Sequence, residues 1–182
     1  MSATDLKFFS ELLATRELPE LGPGPRGGVQ SETALKDKLE GLFAKSKISA
    51  ERQDLIRALI LLWHDHHDPA HLIAQDIENP DGSFIHGIIH RREPDYWNSK
   101  YWFRRVGKHA TFALIAQGAG ELLDKGKPQL SKQLIPAGDW DPIGFVDACE
   151  AAAKKGKADP DYQLLQQVQN IETGSLLEYL CR

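Results

Sequence analysis

Cysteine is scarce in this 182-residue chain, where Cys149 and Cys181 are the only two. They form no CxxC pair and no framework of spacings, so neither a disulfide scaffold nor a thiolate zinc site is expected, and a reducing, cytoplasmic setting fits best. Long hydrophobic runs are missing as well. The longest, Ala58 to Trp63, falls far below the roughly 20 residues that span a bilayer. The start, Met1-Ser2-Ala3-Thr4-Asp5-Leu6-Lys7, lacks the charged opening and apolar core of a signal peptide. A soluble protein with no membrane partner is expected.

Basic charge is not in excess. Lys and Arg number 22 against 26 Asp and Glu, for a net charge of -4 with histidines neutral, which argues against a nucleic-acid surface. Neither a Walker pattern nor GxGxxG occurs, so no nucleotide cofactor is expected. Cys149 lies among alanines and Cys181 is penultimate, both remote in sequence from any histidine, which makes a cysteine nucleophile a poor reading. Convincing apolar–polar alternation is absent too, and with it any strand or internal repeat.

Helical signals fill the chain instead. Thr4 or Asp5 can cap a helix through Ala14, Ser31 one carrying Leu35, Leu39, Leu42 and Phe43, and Ser49 one whose Leu55–Trp63 interior is apolar almost all round. Such a helix is buried on most sides, which predicts that it is the central one. Residues 19–30, rich in proline and glycine, read as a surface loop. At Asp68-Pro69 either one long helix kinks or Asp68 caps a new one. Asn79-Pro80-Asp81-Gly82 reads as a turn, with Ser83 capping a helix to about Arg92; another runs from Asp95 to Val106, ended by Gly107. A helix over Thr111–Asp124 precedes an irregular stretch through Gly138, and Asp141-Pro142 and Asp159-Pro160 open the last two. The expected fold is all-α, a single-domain bundle of about eight or nine helices.

All seven histidines fall between Trp63 and His109, which marks residues 63–109 as the functional core segment. Helical spacing puts His64, Asp68, His71 and Gln75 on one face, provided the helix survives Pro69. His86 and His90 share a face four residues apart, with Glu93 a turn further on. Two imidazoles at i and i+4 can ligate one metal ion, and a carboxylate or third histidine completes a shell that leaves room for a water. His64, His71, His86 and His90 are therefore the candidate ligands of a divalent metal, with Asp68 or Glu93 as further ligand or general base. HxxxH lacks the internal glutamate that makes HExxH specific, so a hydrogen-bonded structural seam competes with this reading.

From Phe84 to His109 six Lys or Arg stand against two acids, interleaved with Tyr96, Trp97, Tyr101, Trp102 and Phe103. Guanidinium groups beside aromatic rings suit a small anionic molecule, with Tyr101, Arg104 and Arg105 as its contacts. The bland alternative is that the aromatics pack and the arginines pair with Glu93, Asp95 and other acids.

The run His86-Gly87-Ile88-Ile89-His90-Arg91-Arg92-Glu93-Pro94-Asp95-Tyr96, with Asn98 and Lys100-Tyr101-Trp102-Phe103-Arg104-Arg105-Val106-Gly107, resembles the signature of a family of small uncharacterised proteins. Trp63-His64-Asp65-His66, Ala70-His71 and Gln75 belong to the same likeness, which implies one recurring unit and brings no activity, substrate or cofactor with it. His64-Asp65 after Leu61-Leu62-Trp63 also resembles the His-Asp pair of the HD-domain phosphohydrolases, all-α metal enzymes. That family needs a metal-binding histidine upstream, and none precedes His64. The expectation is a helical protein with a histidine-rich pocket, a metal-dependent hydrolase of a small anionic substrate; its rival is a non-enzymatic binding protein with a structural His/Arg/aromatic seam.

Overall fold

The computed structural model describes residues 3–182, with side chains from Leu6 onward. Its described residues hold ten α-helices, one 3-10 turn and no strand. In chain order these are α1 (Ala3–Glu11), α2 (Glu32–Phe43), α3 (Ala50–Trp63), α4 (His67–Ala74) and α5 (Pro80–Arg92). Then come α6 (Tyr96–Val106), α7 (Phe112–Leu123), α8 (Pro128–Leu134), the turn Pro136–Gly138, α9 (Pro142–Lys155) and α10 (Pro160–Leu180). None is long and apolar enough to cross a membrane. The expected all-α class is what is found.

Side-chain acceptors set where five helices begin. Ser31 takes the Ala34 N–H (3.3 Å), Asn79 that of Gly82 (2.8 Å), Asp95 that of Asn98 (3.2 Å), Asp141 that of Ile143 (3.0 Å) and Asp159 that of Asp161 (2.9 Å). Each satisfies a first-turn donor that has no partner within the helix. Gly107 and Gly156, at φ 62 and 92, stop α6 and α9 in a region that suits glycine.

Three boundaries differ from expectation. Asn79, not Ser83, caps α5, so the proline turn is the helix's own first turn and Pro80 occupies a position that needs no N–H. The stretch after α7 was expected to be irregular but contains α8, again opened by a proline. Chain reversal after α3 happens at Asp65, whose φ of 65 ends the helix, and Pro69 sits harmlessly in the first turn of α4. Capping by Thr4 or Asp5 falls outside the described side chains.

A continuous buried cluster takes residues from every helix, from Phe9 and Leu39 through Leu59, Ile88, Phe103 and Ile115 to Leu134, Phe145 and Leu177. α3 is deeply buried, as its apolar run implies, but α5 is more enclosed: Gly82 through Arg92 are all buried. At Gly87 a Cβ would meet the Phe103 ring at 2.9 Å, so α6 packs directly against the α5 backbone there. Ser99 strengthens this contact by donating to the Gly87 carbonyl at 2.7 Å.

Buried ions tie the ends of these helices together. Asp65 lies between two guanidiniums, Arg26 Nε at 3.3 Å and Arg92 Nη2 at 2.6 Å, all three side chains being nearly solvent-free. The same guanidiniums donate to carbonyls at the C-terminal end of α3, Arg26 to Trp63 and Arg92 to Leu62. Two cations thus meet both a carboxylate and the negative end of a helix. Residues 19–30 are accordingly more than a surface loop: Leu21 and Arg26 are buried, and the Glu20 carbonyl accepts from Arg92 and Gln169.

Candidate metal centre

α4 and α5 follow one another across a short link and pack side by side, which brings His71 against His86 and His90. One ligand nitrogen from each of the three lies within 4.8 Å of the others, a group that could hold a metal ion. The Nε2 atoms of His71 and His86 are 2.8 Å apart, and the His86 and His90 rings lie almost parallel with centroids at 4.9 Å. For metal–nitrogen bonds of about 2.0–2.1 Å in a tetrahedral shell, two ligand atoms stand about 3.3 Å apart. His71 and His86, at 2.8 Å, share a hydrogen bond and stand about half an ångström closer than that, and the His90 nitrogen lies within 4.8 Å of both.

The surroundings fit the same role. His86 Nδ1 is buried without a hydrogen-bond partner. His90 has a polar neighbour at each nitrogen: Asn98 Nδ2 at 3.1 Å from Nε2, and Glu93 Oε2 at 3.1 Å from Nδ1, off the hydrogen-bond axis. The Asn98 amide N–H donates to Nε2, which leaves the His90 proton to Nδ1 beside Glu93. The Trp102 indole lies flat on His86, ring centroids 4.0 Å apart and planes 15° from parallel.

Burial drives the His86 pKa down to about 4, with the neighbouring His71 and His90 adding to the effect. His90 is lowered for the same reasons, burial first and then His71. Both rings are thereby kept neutral at ordinary pH, the form in which an imidazole ligates. Glu93 is shifted the opposite way: burial raises its carboxyl above the usual range, and the nearby Asp68 adds to that.

His64 is not part of this group. The Gln30 N–H donates to its Nδ1 at 3.2 Å, so the proton sits on Nε2 and is donated to the Leu12 carbonyl at 2.8 Å. Both nitrogens are occupied in tying the first two segments of the chain to α3. The straight His64–His71 face expected from spacing fails because the helix ends at His64. The His64-Asp65 pair that resembles HD-domain enzymes is likewise engaged in structural contacts, Asp65 with Arg26 and Arg92.

His66 donates to the Gln30 carbonyl at 2.8 Å, and His109 is held between Asp81 (2.8 Å) and Thr111. His67 is kept neutral near a pKa of about 4 by burial and then by the Arg92 charge. The histidine cluster in the sequence thus divides into a structural set and a converging set.

Of the remaining expected site residues, Glu93 touches the group through His90, and Asp68 is an exposed α4 carboxylate on the same side as Glu93. Arg105 lies 5.2 Å over the Trp102 ring and donates to the Tyr101 hydroxyl at 3.3 Å, which links both to the histidines by way of Trp102. Arg104 is placed elsewhere. It lines a cleft of about 1170 Å³ between α6, α7, α8 and α9 that none of the three histidines reaches. Consecutive helical residues point about 100° apart, and of the two only Arg104 lines this cleft.

Sequence reasoning missed Asn98 and Trp102 as neighbours of the histidines. Their spacing of four on α6, alongside the His86/His90 spacing of four on α5, was the available signal.

A pH dependence follows. His67 and His86 titrate near 4 in the folded protein and near 6.5 when unfolded, so below 6.5 the unfolded chain binds protons that the folded chain refuses. Stability conferred by these neutral rings is fully present above 6.5 and drains away as pH falls towards 4. Metal-free protein should lose roughly 5 °C or more of melting temperature between pH 6.5 and 4.5, and His67→Gln should flatten that slope. A melting temperature independent of pH across this window would contradict the burial assigned to the two rings.

No family model matches the chain, and neither a curated protein nor a solved structure matches it.

Proposed function

We propose that this protein is a hydrolase of small anionic esters that works with one divalent metal ion held by His71, His86 and His90. The observation that carries the reading is the convergence of three ligand nitrogens within 4.8 Å on a buried face shared by two helices. Three protein ligands with room for a fourth is the pattern of catalytic rather than closed structural sites. When bound, the ion supplies Lewis-acid chemistry, lowering the pKa of water and neutralising charge on an ester oxygen.

The protein's own groups do the rest. Glu93, its carboxyl raised by burial and 3.1 Å from His90 Nδ1, takes a proton from the attacking water and returns it to the leaving group. Asp68 borders the same side and supports the raised Glu93 value by its charge. Trp102 fixes the plane of His86, and Asn98 holds His90. Arg105, with Tyr101 beside it, receives the anion.

The test is elemental analysis of untagged protein, followed by hydrolysis of 4-nitrophenyl phosphate before and after chelation. Near-stoichiometric metal with chelator-sensitive turnover is expected, and Glu93→Gln should cut kcat by about 100-fold or more while metal content is retained. Absence of metal after loading with zinc, manganese, iron or nickel would leave the histidines as a structural seam. Metal uptake without turnover would leave a binding protein.

A further inference from the structure

We propose that the outer face of α6 beside the histidines recognises a planar aromatic group, so that the ligand of this site is an aromatic anion, such as an aryl phosphate or phosphonate, rather than a bare oxyanion. The proposal rests on the small-anion reading above and specifies the other half of that molecule.

Trp97 is 76% exposed and Tyr101 40%, among the largest apolar surfaces the described residues leave in water. They stand four apart on one stripe of α6 with ring planes only 10° from parallel and centroids 6.4 Å apart. Tyr101 meets Trp102 edge-on at 5.4 Å, and Trp102 lies on His86. An unbroken path of ring contacts therefore leads from exposed Trp97 to a candidate metal ligand. Adjacent exposed aromatics cost solubility, and neighbouring rings of this kind commonly mark a binding surface.

Charge decides the other half. Arg105 lies 5.2 Å over the Trp102 ring and 5.9 Å over that of Tyr101, and its Nη1 donates to the Tyr101 hydroxyl. Among the described residues no carboxylate pairs with Arg105, whereas Lys100 on the same helix is paired with Asp147. A cation held over aromatic faces with no anion of its own complements an anion attached to a flat ring. The ring would stack on Trp97 and Tyr101, and the anion would lie against Arg105.

The experiment is calorimetric titration of the full chain with phenylphosphonate, which carries ring and anion and resists hydrolysis, and with methylphosphonate, which keeps the anion alone. Phenylphosphonate should bind about tenfold or more tightly, the usual range for one stacked ring. Trp97→Ala, a change at an exposed position, should raise the phenylphosphonate Kd about five- to tenfold and leave that for methylphosphonate unchanged. Arg105→Ala should weaken both. Equal affinity for the two probes, absence of binding by both, or a ring preference that survives Trp97→Ala would each overturn the proposal. The same titrations on His86→Ala separate the readings: metal lost with the ring preference intact means that the aromatic face stands even where the metal centre fails.

Discussion

His86→Ala is expected to strip the protein of bound metal, lowering affinity by at least about 100-fold, while the chain stays folded. The floor is set by what is lost when only an outer partner of a ligand is removed, typically tenfold to 100-fold, since deleting the ligand itself costs more. Folding should tolerate the change because His86 gives the fold little: its Nδ1 has no partner, its Nε2 faces only His71, and burial disfavours its charged form. A void beside Trp102 is the main penalty.

His64→Ala should show the reverse. It orphans the Gln30 N–H and the Leu12 carbonyl and opens space beneath α1, a loss of about 2–4 kcal/mol with metal content unchanged. Elemental analysis and urea unfolding of the two variants read both halves. If His64→Ala lost metal and His86→Ala kept it, the assignment of the centre to α4 and α5 would be wrong.

Arg91→Met is expected to be the most destabilising single change at a polar position. Arg91 and Glu172 are both fully buried and form a two-pronged pair, with Nη1 3.1 Å from Oε1 and Nη2 in contact with Oε2. The guanidinium also lies 4.3 Å over the Phe145 ring. Removing the cation leaves Glu172 charged and dry, or protonated at a cost, which is worth about 3–5 kcal/mol. For a chain of this size that is roughly a 10 °C fall in melting temperature.

Replacing both partners, Arg91→Met with Glu172→Leu, should recover most of the loss, because no uncompensated charge remains. The double-mutant cycle by denaturant unfolding is the measurement, and additive effects of the two changes would show that the pair is not coupled. The neighbouring Arg92 points the other way, to Asp65 and the end of α3. Two adjacent arginines thus bind α5 to opposite sides of the core.

These arginines illustrate where the sequence misled. Arg91, Arg92, Arg104 and Arg105 read as one basic run with the aromatics, suited to an external anion. Two of them are internal struts, one lines an unrelated cleft, and only Arg105 keeps the expected company. Buried charge leaves no hydrophobic signature, so nothing local marks α5, with its two arginines and two histidines, as the most enclosed helix. The acid that neutralises Arg91 lies 81 positions further along, beyond the reach of any local pattern.

By itself the sequence determined the all-α class and most helix starts. Those properties are local: a capping oxygen acts within three residues, a proline fixes its own φ, and helical periodicity is written in neighbours. Same-face placement of His86 with His90 was legible for that reason, since both sit in one unbroken helix. Tertiary structure alone decided that His71 joins them and His64 does not. That choice depends on the reversal at Asp65, a non-glycine residue at φ 65 with its carboxylate clamped by Arg26 and Arg92 from distant segments. Helical spacing along one helix could not place His71 against His86 and His90, because α3 and α4 are separate helices and the contact is made across the packing of α4 on α5.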